Sequence, residues 1–430
     1  MSEFHPNIWP PFSNLKTTPP PLKVKSGDGV YLQLEDGREV IDAISSWWVN
    51  VLGHSRLEIA DAIYEQAQTL EQVIFAGFTH DPAEKVAEKV TSKLPGKLNR
   101  VFFSDNGSTA VEVAQKMAYQ YWVNRGEKRK SFICFDGAYH GDTIGAMSAG
   151  ERSVFTDVFK DLMYDVTFVP YPTTHIGDED IGAREDAIIA KIEQLIDDNP
   201  EAYAGIIVEP LVQGAGGMRM CRAEFLQKLH WVNRQYGTLL IFDEVMTGFG
   251  RTGDWFASLR AQVEPDIICL AKGLTGGFLP LSLTVCSNEI YDVFYDEDPH
   301  KALWHGHSYT ANPLGCAAAI AAMDLLEKYD HWFRRLEEKH VSLSQNLRNH
   351  PRIERFRITG TIAAMNIATE QESGYLNKVA PYIKRESINH GVFLRPLGDV
   401  VYIMPPYCIT DDELEKVYNV IENLVDDFRE

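Results

Sequence analysis

TLLIFDEVMTGFGRTG (238–253) and PDIICLAKGLTGG (265–277) each open on a short apolar run of β type. Each run then releases one ionisable residue where it ends, Asp243 in the first and Lys272 in the second. Glycines follow both, so the chain turns sharply just after the charged group. In open α/β sheets the carboxyl ends of parallel strands are where ligands are held, so the two residues are placed to converge on one bound molecule. Either residue alone reads as an ordinary solvated loop position.

The same rhythm extends on both sides. RVFFS (100–104), SFICF (131–135), VTFVP (166–170), AGIIVEP (204–210) and SLTVCS (282–287) are further strand candidates. Helical spacing lies between them at 109–124, 186–198 and 222–236. Alternation of this kind predicts an α/β fold built on a doubly wound, mostly parallel sheet.

The ends of the chain differ in style. Residues 16–27 (KTTPPPLKVKSG) are proline-rich, and VYLQLEDGREVIDA (30–43) alternates about an Asp36-Gly37 hairpin signal. Helical spacing follows at 57–75 and 81–94, with Asp81 as N-cap and Pro82 in the first turn. A long helical stretch at 323–349 leads into IERFRITGTIAAMNIAT (353–369), another helix, GVFLRP (391–396), VVYIMPP (400–406) and a last amphipathic helix. The expected division is an N-terminal arm with a small β element (1–55), a large domain (56–325) and a smaller α+β domain (326–430).

Composition is that of a globular enzyme, with 45% hydrophobic and 24% charged residues. A formal net charge of −20 argues against a nucleic-acid partner, which would be repelled. Six scattered cysteines show neither a CxxC pair nor zinc spacing, so reduced thiols and no metal site are expected. No apolar run nears the roughly 20 residues of a membrane span, and the N-terminus lacks secretory features. A cytoplasmic protein is the expectation.

A lysine amine and a carboxylate at facing strand ends are what pyridoxal phosphate needs. The amine forms a Schiff base, and the carboxylate keeps the pyridine nitrogen protonated so that the ring accepts electrons. SDNGSTAVEVAQKMAYQYW (104–122) turns at Asn106-Gly107-Ser108 into a helix whose N-terminus can cradle a phosphate, or is simply a capped helix. GAYHGDTIGAMS (137–148) presents Tyr139 and His140 in a glycine-flanked turn, for ring stacking or for packing. Glu209 ends another strand, where it neutralises an arginine or caps the loop after it. Ser308 and Thr310 in HGHSYTANPLGC (305–316) offer hydroxyls before an alanine-rich helix. ISSWWVN (44–50) and VFLRPLG (392–398) suit a substrate: Trp47 and Trp48 make an apolar wall, and Arg395 can clamp a carboxylate through two N–H groups.

Over nearly its whole length, from IWPPFSNLK (8–16) to the final helix, the chain resembles the class-III, fold-type I aminotransferases. DEVMTGFGRTG and the lysine of LAKGLTGG carry that likeness. SSWW, GAYHGDTIGAMS, VEPLVQGAGGMRM (208–220) and RPLGDVVYIMPPY (395–407) narrow it to members that convert 8-amino-7-oxononanoate to 7,8-diaminononanoate in biotin synthesis. The resemblance implies pyridoxal phosphate as cofactor, Lys272 as Schiff-base lysine and proton shuttle, and Asp243 on the ring nitrogen. Gly107 and Ser108 would hold the phosphate, Tyr139 would flank the ring, and Ser308 would reach the phosphate of a neighbouring subunit in a homodimer with shared sites. Arg395 would take the keto acid's carboxylate, with Trp47, Trp48, Phe12 and Gly306 completing the substrate site. Where relatives that use S-adenosylmethionine have tyrosine after His-Pro, this chain has Pro11-Phe12. Where they have Gly-Pro-Thr, it has Gly306-His307-Ser308. Both changes occur in lysine-using relatives, whereas the SSWW and MPPY segments lean towards the S-adenosylmethionine branch; S-adenosylmethionine is the favoured donor and lysine the alternative. Another ω-amino-acid aminotransferase, or a non-catalytic cofactor-binding regulator, would share the fold.

Overall fold

The computed structural model describes residues 5, 7–370, 374 and 377–429. Its centre is a seven-stranded sheet. In spatial order the strands are Leu98–Ser104, Ser282–Ser287, Ile267–Leu270, Leu239–Asp243, Tyr203–Val208, Ser131–Phe135 and Thr167–Val169. Ser282–Ser287 runs antiparallel to both its neighbours, and the other strand pairs are parallel. Alternate residues serve opposite faces, as a strand's period of two requires. Leu240 and Phe242 join the core that includes Phe225, Leu229 and Met323, whereas Leu239 and Ile241 face Ala114, Met117 and Trp122 of helix Gly107–Asn124. Both faces are therefore covered, which is why these strands read as continuous apolar runs.

Three smaller sheets surround this one. Val24–Asp28, Tyr31–Leu34 and Glu39–Asp42 form a meander through the expected hairpin. Its edge is completed by Val392–Phe393, which pairs parallel with Glu39–Asp42 from the far end of the chain. Ile353–Thr359, Ile362–Ile367 and Val400–Ile403 make an antiparallel sheet, and Val212–Gln213 with Arg219–Met220 a two-stranded one.

Several local expectations need correcting. The stretch 323–349 is not one helix: Pro313–Lys328 stops at Tyr329, and His331–Leu343 and Gln345–Arg348 follow. Tyr329 and Trp332 stack across that break, 4.3 Å between ring centroids. The helix expected over 57–75 ends at Ala67, and the second closes at Thr91. The cap of that second helix is His80, whose Nδ1 accepts from Ala83 N, so Asp81 lies inside the first turn. Among the described residues no helix is long and apolar enough to cross a membrane, and no group of three or more metal-ligating side chains is assembled. All six cysteines are free thiols, five of them buried.

Candidate active site

Five parallel strands end along one edge of the large sheet, after Ser104, Phe135, Val208, Asp243 and Leu270. The residues that follow line a cavity of about 680 Å³, with Asn106, Gly107, Ser108, Tyr139, His140, Gly141, Glu209, Asp243 and Lys272 in its wall. Lys272 stands at φ +45°, a left-handed conformation imposed on a non-glycine residue and a form of strain that clusters at functional sites. Its Nζ lies 5.1 Å from the centre of the Trp48 ring. Burial pushes the Lys272 amine below its ordinary range; the Asp243 and Glu209 charges oppose that, and the Arg251 guanidinium adds to it.

Asp243 is buried and doubly held. One carboxylate oxygen accepts from Val245 N at 3.1 Å, and the other meets His140 Nδ1 at 2.7 Å. Burial alone would lower the His140 pKa, but the Asp243 hydrogen bond and charge outweigh it and the net shift is upward. His140 Nε2 is buried with no hydrogen-bond partner among the described residues. Glu209 caps the loop, the plainer of its two sequence readings: it accepts from Tyr139 N and from Gly214 N, each at 2.9 Å. Burial, helped by Asp243, raises Glu209 to about 7.

At the other end of the cavity, helix Gly107–Asn124 begins with a capping box in which Asn106 accepts from Thr109 N. The first-turn N–H groups of Gly107 and Ser108 have no partners within the helix, so they and the positive helix end suit a phosphate. Ser108 Oγ meets Thr143 Oγ1 at 2.7 Å and accepts from Thr143 N. The cradle is bare by necessity. A Cβ on Gly107 would stand 2.5 Å from Val245 Cγ1, and one on Gly141 (φ +130°) 2.2 Å from Ser108 Oγ. A half-buried amine, a buried carboxylate and an anion cradle around one cavity fit a phosphorylated pyridine aldehyde.

A second cavity of about 1640 Å³ shares Trp48, Tyr139, Asp142 and Lys272 with the first. Phe12, Trp47, Phe155, Arg357, Arg395 and Tyr402 line it further out. The guanidinium of Arg395 stacks 4.7 Å over the Trp47 ring and has no protein acceptor among the described residues, leaving its N–H fork open. Phe12 packs edge-on against Trp47 at 5.6 Å and Phe155 at 6.2 Å. Trp48 Nε1 donates to Tyr402 Oη at 3.0 Å.

Lys272, Asp243, Tyr139, Gly107 and Ser108 thus surround the inner cavity, and Trp47, Trp48, Phe12 and Arg395 the outer one. Gly306 and Ser308 line neither; Ser308 is tied instead to Gln72, whose Nε2 donates to its carbonyl. Sequence reading missed His140 as the partner of Asp243, and Thr143 and Asp142 beside the cradle. All three sit in the quoted GAYHGDT turn, where spacing alone does not say which side chain points inward.

The sequence profile of the family Aminotransferase class-III matches residues 12–425. The chain is a class-III aminotransferase. Among the curated relatives of this aminotransferase, the adenosylmethionine-8-amino-7-oxononanoate aminotransferase of Synechococcus elongatus is 55% identical over 423 residues, covering 98% of this chain and 99% of the relative. The enzyme of the same name from Geobacter sulfurreducens is 37% identical, over 97% of this chain and 95% of its own length. Of solved structures, the adenosylmethionine-8-amino-7-oxononanoate aminotransferase of Methanocaldococcus jannaschii superposes with a TM-score of 0.90 at 32% identity, covering 98% of this chain and 97% of that one. The omega transaminase of Pseudomonas jessenii, solved in complex with PMP, gives 0.92 at 26% identity over 98% and 96%. The fold is that of the pyridoxal-phosphate-dependent class-III transaminases, and the aminotransferase is dependent on the same cofactor.

Proposed function

We propose that this aminotransferase transfers an amino group to the ketone of 8-amino-7-oxononanoate, giving 7,8-diaminononanoate for biotin synthesis, with S-adenosylmethionine as donor. The observation that carries the reading is the 55% identity to the Synechococcus enzyme of that name, extending over essentially both chains. The outer cavity supports it, because an apolar tryptophan wall leads to an unpaired guanidinium, as a long keto acid with a terminal carboxylate requires. Phe12 in place of a tyrosine removes a phenol from the donor's path, so lysine is the second donor to test.

Lys272, Asp243, Gly107 and Ser108 would hold the cofactor, with Tyr139 flanking its ring. Bound there, pyridoxal phosphate supplies an aldehyde that condenses with amines and a ring that accepts the electron pair released at the amine-bearing carbon. Asp243 would keep a proton on the ring nitrogen, and the His140 contact aims its carboxylate. With the cofactor bound, the Lys272 amine would take a proton from the donor's amine-bearing carbon and, in the second half of the reaction, would deliver one to C7 of the product. Burial favours the neutral form of that amine, the form that accepts a proton. Arg395 holds the keto acid's carboxylate, and Trp47 and Trp48 exclude water along the alkyl chain.

The working unit is a cytoplasmic homodimer in which Ser308 and Gly306 serve the partner's site. The segments holding Gln72 and His80 are tied to Ser308 and Ala311, and this region exposes Ile74, Phe78, Trp304 and Tyr309, an apolar surface of the kind that pairs with another protein. The test is the visible spectrum of the purified enzyme with S-adenosylmethionine or lysine in separate cuvettes. Bleaching of the yellow band by S-adenosylmethionine, recovered on adding 8-amino-7-oxononanoate, is the expected result. Bleaching by lysine alone would move the donor assignment, and recovery only with other keto acids would overturn the substrate.

A further inference from the structure

The Ser-Ser-Trp-Trp segment has a backbone that its residues do not choose. Ser45, Ser46 and Trp48 stand at φ +53°, +59° and +69°, and such strain persists only where the surroundings enforce it. The segment delivers two neighbouring indoles to different tasks. Trp47 lies under the Arg395 guanidinium, and Trp48 faces the Lys272 amine.

What enforces that shape lies outside both cavities. Asp42 is fully buried, and one of its oxygens takes three donors: Ser46 N at 2.6 Å, Ser46 Oγ at 3.0 Å and His54 Nε2 at 2.9 Å. Its other oxygen accepts from Ile44 N at 3.3 Å. Asn50 Nδ2 donates to His54 Nδ1 at 2.7 Å, which puts the ring proton on Nε2, aimed at Asp42. Neither Asp42 nor His54 lines a cavity. The far side of the segment is held by Ser45 Oγ on Met404 O and by Arg251 Nη2 on Trp48 O.

We propose that Asp42, oriented by His54, is a positioning residue for substrate recognition: its carboxylate fixes the left-handed turn at Ser46 that aims Trp47 at Arg395 and Trp48 at Lys272. The proposal rests on the reading of the outer cavity as the keto-acid site. Asn at position 42 has the same shape but no charge and only one acceptor oxygen: turned towards Ser46 N, Ser46 Oγ and His54 Nε2 it makes three neutral bonds in place of charge-assisted ones, and its NH2 then meets the Ile44 N donor with a donor. The turn then relaxes and the indoles shift, while Lys272 and Asp243 stay where they are.

Fluorine NMR of the cofactor-loaded enzyme labelled with 5-fluorotryptophan tests this directly. The chain's eight tryptophans give separate signals, and Trp47→Phe and Trp48→Phe identify the two that matter. In Asp42→Asn the Trp47 and Trp48 signals should move while those of Trp122 and Trp231 stay. The KM for 8-amino-7-oxononanoate should rise about tenfold, with kcat changed less than about threefold. Unmoved Trp47 and Trp48 signals overturn the proposal, as does a uniform shift of all signals, which marks a general loss of packing. Should Asp42→Asn not fold, His54→Gln and His54→Ala decide. Gln carries an N–H to the place of Nε2 and should keep both signals, whereas Ala should move them; identical behaviour of the two overturns the proposal. A wild-type enzyme inert to 8-amino-7-oxononanoate would refute the proposed substrate, and the fluorine result would still stand or fall by itself.

Discussion

Lys272 is a burden to the fold that the reaction needs. A half-buried amine on a cavity wall loses much of its hydration and prefers to be neutral, so its folded pKa lies below the 10.5 of a free lysine. From 10.5 down to the folded value, the unfolded chain binds a proton that the folded chain refuses, and stability is lost as pH falls through that window. Lys272→Met in the cofactor-free protein should therefore melt higher than wild type at pH 7, and the gap should close as pH approaches 10.5. A calorimetric scan at several pH values checks both signs, and equal melting at pH 7 would contradict the burial of the charge. Asp243→Asn makes the complementary case. It keeps the shape but loses the charge on the ring nitrogen, so turnover should fall by about 10³-fold. It also removes what lifts the His140 pKa, leaving the burial that depresses it. The imidazole titration, followed by NMR, should move to lower pH in Asp243→Asn; movement upward would mean that Asp243 is not the group holding the ring.

Among elements, the phosphate cradle makes the sharpest demand. Gly141 at φ +130° has no room for a Cβ beside Ser108, so Gly141→Ala must displace either the turn or the helix start. Cofactor affinity should drop by about 10- to 100-fold, read by titrating the apoenzyme with pyridoxal phosphate at a temperature where both proteins are folded, and the apoenzyme should melt lower as well. Unchanged affinity would place the phosphate elsewhere. The strands that carry Asp243 and Lys272 were legible in the sequence because both sheet faces are covered, which makes the runs apolar throughout. The break at Tyr329 was not legible, since the pattern is helical on both sides of it. Nor was the neighbourhood of Arg395 and Trp47. It depends on Val392–Phe393 pairing with Glu39–Asp42, a parallel contact across some 350 residues that no local spacing encodes. Individual site residues announce themselves at strand ends; their partners, such as His140 for Asp243, arrive from other strands and become visible only in three dimensions.

For the whole molecule, the apolar surface around Phe78 and Trp304 is the feature that one chain leaves unexplained. If the proposed homodimer forms through that surface, Phe78→Glu should shift the protein to monomer in sedimentation, with activity lost in parallel as Ser308 leaves the proposed second site. Retained activity in a monomer would confine the site to one chain. The strand order has a different consequence, one of timing. Leu98–Ser104, which leads into the phosphate cradle, is joined to the large sheet only through Ser282–Ser287. During synthesis, then, the helix behind the cradle can settle on Tyr203–Val208 and Leu239–Asp243, but the strand leading into it cannot join the sheet until residue 287 has left the ribosome, by which time Lys272 has already emerged. The growing chain meets its vitamin-derived cofactor late and all at once. Nascent chains arrested before Ser282 should release no yellow species on adding pyridoxal phosphate, and full-length chains should.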